Sequence, residues 1–296
     1  MAFASTGRAE LLGQTLLDLQ RQIRVPDRVI LSLAGRDDVD RDALGRSTLP
    51  VEALIGDRGL TRQRNTVLDA LRDEDLVLFL DDDFVMAQDY LARLEQLFSE
   101  RPDVCVATGT VIADGINNAG LSADYARHLL GRRQDFAADA ELEEVNNAYG
   151  CNMAFRCAPI RRHALRFDEN LPLYGWLEDV DFCRRVAAHG LCVRAPDLRG
   201  VHLGVKGGRQ SGLRFGYSQV ANPVYLIQRA TMRPSHALAL ISRNIMANVA
   251  KSLLPEPWVD RRGRLRGNAL ALVDLLRRRS DPRRILDLGG GHDGRS

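Results

Sequence analysis

A short apolar segment followed at once by three acids is the feature that most limits the fold of this chain. Leu76–Leu80 is a continuous apolar run of strand length, as expected of a strand buried on both faces of a sheet. Asp81, Asp82 and Asp83 follow it directly. Ligands of open parallel sheets bind beyond the carboxyl ends of the strands, and adjacent carboxylates repel unless a cation intervenes. The position favours a site for Mg²⁺ or Mn²⁺ and phosphate; a solvated acidic turn is the alternative.

The segments around this run alternate between helical and strand-like patterns. Apolar residues recur at helical spacing in Gly59–Leu71 and Tyr90–Phe98, and a further helix through Asp179–His189 is expected to end at Gly190. The other segments that we expect to form strands are Val29–Leu33, Val104–Ile112, Cys151–Arg156 and Leu191–Ala195. This alternation predicts an α/β fold with a mostly parallel, Rossmann-like central sheet and helices on both faces.

The last part of the chain differs from the rest in charge and pattern. Residues 229–296 carry 14 basic and 6 acidic side chains, whereas residues 1–228 carry 27 and 33. From Ser218 onward the pattern is helical, and five apolar residues fall on one face: Leu238, Ile241, Ile245, Val249 and Leu253. We therefore expect a basic helical C-terminal extension with a frayed end. Its charge favours contact with an anionic membrane over nucleic acid; a solvated arm or a helix packed on the core or a second subunit is the alternative.

The composition excludes several classes of protein. None of the apolar runs among the 296 residues approaches the roughly 20 residues of a membrane span. The start lacks the basic-then-apolar layout of a secretory signal. Five cysteines without a CxxC pair suggest neither a disulfide framework nor a zinc ribbon. We expect a cytoplasmic protein, with peripheral contact at the inner membrane face as an option.

A second acidic group opens the helix that begins near Asp179. Trp176 lies just before the acids Glu178, Asp179 and Asp181. Acids near a helix N-terminus interact favourably with the helix dipole, so these residues have a purely structural interpretation. Capping alone does not require three acids and a tryptophan. The alternative is that one carboxylate at the edge of the sheet acts as a general base.

A third group combines one histidine with a basic, glycine-rich segment. His202 is followed by Lys206 and Arg209 within Gly200–Gly216. An imidazole could complete a metal shell, and the two cations could neutralise a diphosphate. Taken singly, a structural histidine and an ordinary loop explain the same residues.

Together, these groups resemble the family 2 glycosyltransferases, which have the fold called GT-A. The resemblance covers about residues 1–228, and its specificity comes from the order in which the matching segments occur. Those segments are Thr6–Arg8 with the helix to Gln22, Gly59–Asn65 as the nucleotide-facing segment, Phe79–Asp83 as the DxD motif, Gly150–Arg156 as the acceptor-side strand, and Glu178–Asp179 as the ED motif.

The resemblance implies an inverting, metal-dependent transfer from a nucleotide-activated sugar, commonly a UDP-sugar, to a hydroxyl of a glycan or lipid-linked saccharide. It implies that Asp179 is the base and Glu178 supports the acceptor site. Asp83 and Asp81 would bind Mn²⁺ or Mg²⁺, with His202 as a further ligand. The residues implied to contact the nucleotide sugar are Thr6, Arg8, Asp37 (or its neighbour Asp38), Arg62, Arg64, Asp81, Asp82, Lys206 and Arg209, and those on the acceptor side are Asn152 and Trp176.

The chain also departs from the pattern of the processive members of that family. Their QxxRW motif is missing, and the nearest stretch, Gln210–Phe215, has the wrong spacing and no tryptophan. We therefore expect a non-processive enzyme. Its nucleotide-sugar half is expected at about residues 1–112 and its acceptor half at about 113–228, followed by the extension at 229–296.

Two other functions are compatible with the same residues. A sugar-nucleotide nucleotidyltransferase would share the sheet, but Thr6–Arg8 is too short for the phosphate loop that such enzymes carry near their start. A non-catalytic module that binds a nucleotide sugar or a glycan would not need Glu178 and Asp179 together with the aspartate run and His202.

Overall fold

The computed structural model describes residues 1–131, 141–206 and 211–288. The chain forms two compact units. The first comprises Met1–Arg58, Arg62–Arg166 and Phe182–Gly208, and the second comprises Gly59–Thr61, Phe167–Asp181 and Arg209–Ser296. The expected division into a nucleotide-sugar half, an acceptor half and an extension assigns a function to each segment. The two compact units do not test those functions, so this division stays a prediction.

The first unit is built on one sheet. Its strands are β1 Ala2–Ser5, β2 Val29–Leu33, β3 Val51–Ile55, β4 Leu76–Leu80, β5 Phe84–Met86, β6 Val104–Asp114, β7 Glu143–Glu144, β8 Asn152–Arg156 and β9 Leu191–His202. They run in the order β3-β2-β1-β4-β8-β6-β9-β5, with β7 beside β9. β1 to β4 pair in parallel, as do β6 and β9, whereas β5, β7 and β8 pair antiparallel to their neighbours. The prediction of a mostly parallel sheet is confirmed.

Helices flank this sheet and form the C-terminal region. Their bounds are α1 Ala9–Leu19, α2 Arg41–Arg46, α3 Leu60–Ala70, α4 Tyr90–Glu100, α5 Ala123–Gly131, α6 Cys157–Arg162, α7 Glu178–Val186, α8 Gly212–Gln228, α9 Pro234–Lys251 and α10 Arg261–Leu276. The core of the first unit joins Leu12 and Leu16 of α1 and Leu94 of α4 to Leu31 and Leu78 of the sheet. Burial of such apolar surface, at about 25 cal/mol per Å², is what holds the helices on the sheet.

Strand β9 is longer than the sequence pattern predicts. The expected strand ended at Ala195 before Pro196, but β9 continues to His202. Its pairing with β6 passes from Gly109 opposite Ala195 to Thr110 opposite Arg199, so three residues of β9, including Pro196, are looped out of register. A proline in such an irregularity removes no ladder hydrogen bond, and the strand therefore runs through it.

The second unit contains α8, α9 and α10, as expected of a helical C-terminal region. The predicted apolar face of α9 packs inward only in part, through Ile241 and Ile245. Ala237, Leu240 and Ile241 are buried, whereas Leu238 and Val249 are exposed. Much of the packing specificity comes from polar groups: the buried Asn248 side chain of α9 donates to Gln219 of α8 and to Asn268 of α10, at 2.8 Å each.

Two expectations drawn from composition can be compared with the structure. All five cysteines are free and buried, which is typical of cysteines that serve as small apolar core residues. Within the described parts of the chain, every helix is too short or too polar to cross a bilayer.

Candidate functional site

The sheet register brings one acid and one histidine from distant parts of the sequence together. Asp83 lies in the tight connection between β4 and β5, and β5 pairs antiparallel with β9 so that Phe84 is opposite His202. On the other side of β9, β6 places Asp114 opposite His202. The three residues therefore meet because β9 lies between β5 and β6.

Asp81, Asp83 and His202 form a cluster whose potential ligand atoms all lie within 4.8 Å of one another. The His202 Nε2 atom is 3.4 Å from Asp83 Oδ1. Two carboxylates and one imidazole form a donor set that suits Mn²⁺ and is compatible with Mg²⁺. Among the residues that the structure describes, this is the one such group of three or more acids, histidines or cysteines. The residues present thus fit a divalent cation.

The charges in this cluster shift one another's pKa values. Desolvation raises the pKa of the Asp81 carboxyl above its usual range, and repulsion from Asp83 adds to the rise while Arg64 opposes it. Burial acts the same way on Asp83, but His202, Arg8 and the Val205 amide outweigh it and hold the pKa of Asp83 below its usual value. A group of carboxylates crowded in this way is stabilised by added positive charge.

His202 is held by a second carboxylate that sequence reasoning missed. Its Nδ1 atom is 3.0 Å from Asp114 Oδ1, and Asp114 Oδ2 accepts a hydrogen bond from the Tyr149 hydroxyl at 2.9 Å. The Tyr149 ring also packs edge-on against the imidazole, with ring centroids 5.9 Å apart. Burial would lower the pKa of His202, but Asp114 and Asp83 raise it to about 10. The position of Asp114 beyond the predicted strand Val104–Ile112 was the available signal for this residue.

Asp82, the middle acid of the run, is not part of the cluster of Asp81, Asp83 and His202. Its carboxylate accepts a hydrogen bond from the Ser5 hydroxyl at 2.5 Å and pairs with Arg8 at 2.7 Å. Desolvation raises the pKa of Asp82, and Arg8 and Ser5 oppose the rise. These contacts tie the end of β4 to the end of β1.

Arg8 and Asp83 also hold the segment that follows His202. Arg8 donates to the Val205 carbonyl at 3.1 Å, and the Val205 amide donates to Asp83 Oδ2 at 2.8 Å. Lys206 Nζ donates to the carbonyls of Gly115 and Ile116 at 2.9 and 2.8 Å. Lys206 is thereby fixed against the turn that follows β6, whereas Arg209 lies outside the described residues.

The arginines of the predicted nucleotide-facing segment differ in their environments. Arg64 is buried, and its guanidinium lies 3.5 Å from Asp81 Oδ1 and donates to the Gly150 carbonyl at 3.0 Å. Arg62 is half exposed and pairs with Asp57 at 3.1 Å. Thr6 lies beside this segment, with its hydroxyl 3.4 Å from Gln63 Oε1. The structure thus places Arg64 next to the aspartate run.

Three polar residues of the predicted site, Asp37, Asp38 and Asn152, differ in their exposure and in their hydrogen bonds. Asp37 is exposed on a short turn after β2. Its neighbour Asp38 accepts hydrogen bonds from the amides of Gly7, Ala34 and Gly35. Asn152 has no exposed surface, and its Oδ1 accepts from the Gly109 amide and the Thr108 hydroxyl inside the sheet. The side chains of Asp38 and Asn152 therefore stabilise the fold through these hydrogen bonds. The exposed side chain of Asp37 has no such role in this structure.

Glu178 and Asp179 begin helix α7 in the second unit, after a tightly constrained loop. Leu173, Gly175 and Leu177 all have positive φ angles, of 61°, 62° and 73°. A non-glycine residue in this region costs about 1 kcal/mol or more, so other contacts must impose the conformation. The hydrogen bonds that do so are Leu60 N to Leu173 O at 2.8 Å, Glu178 N to Gly175 O at 2.8 Å and Asn222 Nδ2 to Trp176 O at 2.7 Å.

Side-chain positions in this loop follow from the same constraints. Glu178 is buried, Asp179 is partly exposed, and Asp179 Oδ1 accepts the Val180 amide at 2.9 Å. Trp176 is partly buried, and its ring centroid is 5.8 Å from that of Phe215. The loop thus presents one accessible carboxylate at the N-terminus of a helix and one aromatic ring close to it in sequence.

Comparison with known proteins identifies relatives of this arrangement. The profile of glycosyl transferase family 2 matches residues 7–163, which is more than half of the chain. No curated protein matches the sequence closely enough to count as a relative.

Solved structures show the same fold at low sequence identity. S. aureus TarS 1-349 in complex with UDP-GlcNAc matches with a TM-score of 0.57 and 15% identity, over 97% of this chain and 82% of that one. The mannosyltransferase PcManGT from Pyrobaculum calidifontis, in complex with GDP-Man and Mn²⁺, matches with a TM-score of 0.52 and 17% identity, over 98% and 78%. In a structure of a longer TarS chain, the match spans 43% of that chain. The fold is thus the GT-A fold of glycosyltransferases.

Proposed function

Because this chain belongs to glycosyl transferase family 2, we propose that it transfers a sugar from a nucleoside-diphosphate sugar to a hydroxyl of a glycan or lipid-linked saccharide. The observation that carries the proposal is the cluster of Asp81, Asp83 and His202 at the carboxyl end of β4, where open sheets bind ligands. The complexes of TarS with UDP-GlcNAc and of the mannosyltransferase with GDP-Man support a nucleotide sugar as the donor. UDP-sugars are our first candidates.

We propose that Asp81, Asp83 and His202 hold a divalent cation, Mn²⁺ or Mg²⁺. The donor set supports this assignment, as does the Mn²⁺ in the mannosyltransferase complex. The cation would supply positive charge for the diphosphate that leaves when the glycosidic bond breaks. Arg64, buried beside Asp81, supplies protein charge at the same place, and we assign Lys206 and Arg209 to the same task.

Contacts to the nucleotide are assigned with the same reasoning. Thr6, Asp37 and Arg62 lie at or near the carboxyl ends of strands β1 to β3 and offer polar groups for the base and ribose. Asp82 and Arg8 form an ion pair, and Arg8 also donates to the Val205 carbonyl. These contacts support a role for both residues in holding the segment that follows His202. Asn152 is assigned to shaping the acceptor side of the sheet, since its side chain is fully buried.

Asp179 is our candidate for the general base, with Glu178 and Trp176 on the acceptor side. The Asp179 carboxylate would accept the proton of the attacking acceptor hydroxyl. Attack from the face opposite the leaving diphosphate forms the new bond as the old one breaks and inverts the anomeric configuration. This route needs a single base and no covalent intermediate, so we propose an inverting, non-processive transfer. We also propose that the basic C-terminal region keeps the enzyme at an anionic membrane face, where a lipid-linked acceptor would lie.

The proposal is tested by the release of the nucleotide from a panel of activated sugars: UDP, GDP or TDP from the corresponding diphosphate sugars, and CMP from CMP-sugars. We expect slow hydrolysis of the donors of one nucleotide class when Mn²⁺ or Mg²⁺ is present. We expect no hydrolysis when a chelator removes the metal. Pyrophosphate release from a nucleoside triphosphate and a sugar phosphate would instead indicate a nucleotidyltransferase. Binding of a nucleotide sugar without any turnover, even with added saccharide acceptors, would indicate a non-catalytic module.

Replacing Asp114 with alanine should weaken binding of the cation although Asp114 is not one of its proposed ligands. The substitution removes the partner that orients the His202 ring, and loss of such a partner costs about 10–100-fold in metal affinity. Asp114→Asn keeps a hydrogen-bond acceptor and should lose less. Mn²⁺ binding in the presence of UDP, followed by electron paramagnetic resonance, measures both.

The matched control for this prediction is Asp103→Ala at the other end of the same strand region, where the acid pairs with Arg101 on the surface. It should bind Mn²⁺ as the wild type does. Unchanged Mn²⁺ affinity in a folded Asp114→Ala variant would show that His202 does not need this carboxylate.

A further inference from the structure

Helix α9 carries apolar side chains on two opposite faces. Its inner face packs through Ala237, Leu240 and Ile241, which are buried. On the outer face, Leu238, Met246 and Val249 are 61%, 64% and 51% exposed. At about 100° per residue these three fall within an arc of about 80°. The helix is therefore apolar on the side where a surface helix is normally polar.

Exposed apolar side chains continue along the chain beyond the end of the helix. Leu253 and Leu254, which follow the C-terminal residues of α9, are 81% and 88% exposed. We call Leu238, Met246, Val249, Leu253 and Leu254 the α9 stripe. Trp258 lies in the same connection to α10 and is also exposed. Several large exposed apolar side chains along one helix and its following turn are typical of a surface that another body covers.

The charges around the α9 stripe are mostly positive. Arg243 and Arg262 are exposed, and Arg262 lies at the end of α9, with its Nε atom 3.5 Å from the Ser252 carbonyl. The acids nearby are already engaged: Glu256 pairs with Lys251 at 2.7 Å and with Arg261 at 2.8 Å.

Two further acids, Asp260 and Asp274, are also engaged within the protein. Asp260 accepts the Gly263 amide at 2.7 Å and caps α10, and Asp274 is buried and pairs with Arg284. A second copy of the chain would bring two like-charged faces together, which electrostatic repulsion opposes. An anionic surface with an apolar interior matches both the charge and the exposed apolar side chains.

We propose that the α9 stripe and the Leu253–Trp258 turn insert into the interface of an anionic lipid bilayer. Interfacial helices of this type bury an apolar face at the level of the headgroups and place arginine and lysine beside the lipid phosphates. A tryptophan at such a boundary keeps its ring in the apolar layer and its N–H in the polar one. The inference deepens the proposed function, on which it rests for a lipid-linked acceptor, by naming the surface that meets the membrane.

Sedimentation of the full chain with phospholipid vesicles tests the docking. We expect binding to vesicles of phosphatidylcholine with about one third phosphatidylglycerol to be at least about 10-fold tighter than to phosphatidylcholine alone, and weaker at high salt. The double variants Met246→Ser with Val249→Ser, and Leu253→Ser with Leu254→Ser, should each lose about 10-fold in affinity for the anionic vesicles. The matched control, Ile23→Ser with Ile55→Ser, replaces two exposed apolar side chains of the first unit and should bind as the wild type does.

The outcomes separate the docking surface from the transfer reaction. Equal binding to both vesicle types, or unchanged binding of both α9 double variants, would overturn the docking proposal. A dimer in solution that Met246→Ser with Val249→Ser dissociates would assign the stripe to a second copy instead. Donor turnover by the wild-type protein is measured in parallel, without vesicles. If the protein binds anionic vesicles but never turns over a donor, the docking proposal stands and the proposed transferase activity is overturned. If it turns over a donor but does not bind the vesicles, the transferase activity stands and the docking proposal is overturned.

Discussion

The variant Asp179→Asn is expected to lose sugar transfer by a factor of about 10²–10⁴ while it keeps its affinity for the donor. The amide cannot accept the proton of the acceptor hydroxyl. Its oxygen can still accept the Val180 amide hydrogen bond that Asp179 Oδ1 accepts at 2.9 Å, so the start of α7 should be unaffected. Transfer is measured with the acceptor under saturating donor, and donor affinity by calorimetry on the same preparation.

The comparison variant is Asp287→Asn, which removes an exposed acid of the same unit. It should transfer sugar at the wild-type rate and control for the loss of one negative charge. A folded Asp179→Asn enzyme with wild-type turnover would remove Asp179 from its role as the base. Equal losses of donor affinity and transfer would also contradict that role, because a base acts on the chemical step.

The variant Asp83→Asn is expected to weaken metal-dependent nucleotide binding by at least about 100-fold. Asparagine keeps an oxygen for the Val205 amide, which Asp83 Oδ2 accepts at 2.8 Å, but it removes the negative charge that attracts a cation. The nucleotide should then bind equally weakly with and without Mn²⁺. Calorimetric titration with the nucleoside diphosphate, once with Mn²⁺ and once with a chelator, gives the two nucleotide affinities.

The variant Asp82→Asn is the matched comparison for Asp83→Asn, because it changes the neighbouring residue of the same aspartate run in the same way. It removes the charge that pairs with Arg8 at 2.7 Å, so we expect a lower melting temperature. Mn²⁺ should still strengthen nucleotide binding, because Asp82 is not part of the cluster of Asp81, Asp83 and His202. Loss of the metal dependence in Asp82→Asn, with its retention in Asp83→Asn, would contradict the assignment of Asp83 rather than Asp82 as a metal ligand.

The sequence was most informative where one local pattern determines the structure. The apolar run Leu76–Leu80 is a strand with the predicted bounds. The helical spacing over Tyr90–Phe98 predicted a helix that extends to Glu100. Burial on two faces and a 3.6-residue period are properties of neighbouring residues, so these elements need no knowledge of distant contacts.

The arrangement around His202 depends instead on pairings between distant segments. A three-residue strand, β5, and the continuation of β9 past Pro196 bring Phe84 and Asp114 to either side of His202. Gly200 permits this pairing, since a Cβ there would lie 2.1 Å from the Phe84 ring. Such pairings have no local period, so Asp114 and Tyr149 escaped prediction, whereas His202 was a candidate both from its residue type and from the family resemblance.

The orientation of α9 shows a different limit of sequence patterns. Of the five residues on the predicted apolar face, Ile241 and Ile245 pack inward, whereas Leu238, Val249 and Leu253 are exposed. The buried part of the helix also includes Asn248, whose side-chain amide donates to Gln219 and Asn268. Buried polar networks of this kind are satisfied only by partners elsewhere in the fold, so the apolar period predicts only part of the buried face.

Calorimetric titration of the wild-type protein with UDP, GDP, CMP and TDP, each with Mn²⁺, with Mg²⁺ and with a chelator, tests the central claim most directly. If Asp81, Asp83 and His202 hold a cation that binds a diphosphate, one nucleotide should bind at least about 10-fold tighter with metal than without it, and should raise the melting temperature accordingly. Binding that is unaffected by either metal, or the absence of binding by any of the four nucleotides, would contradict the assignment of this cluster as the donor site.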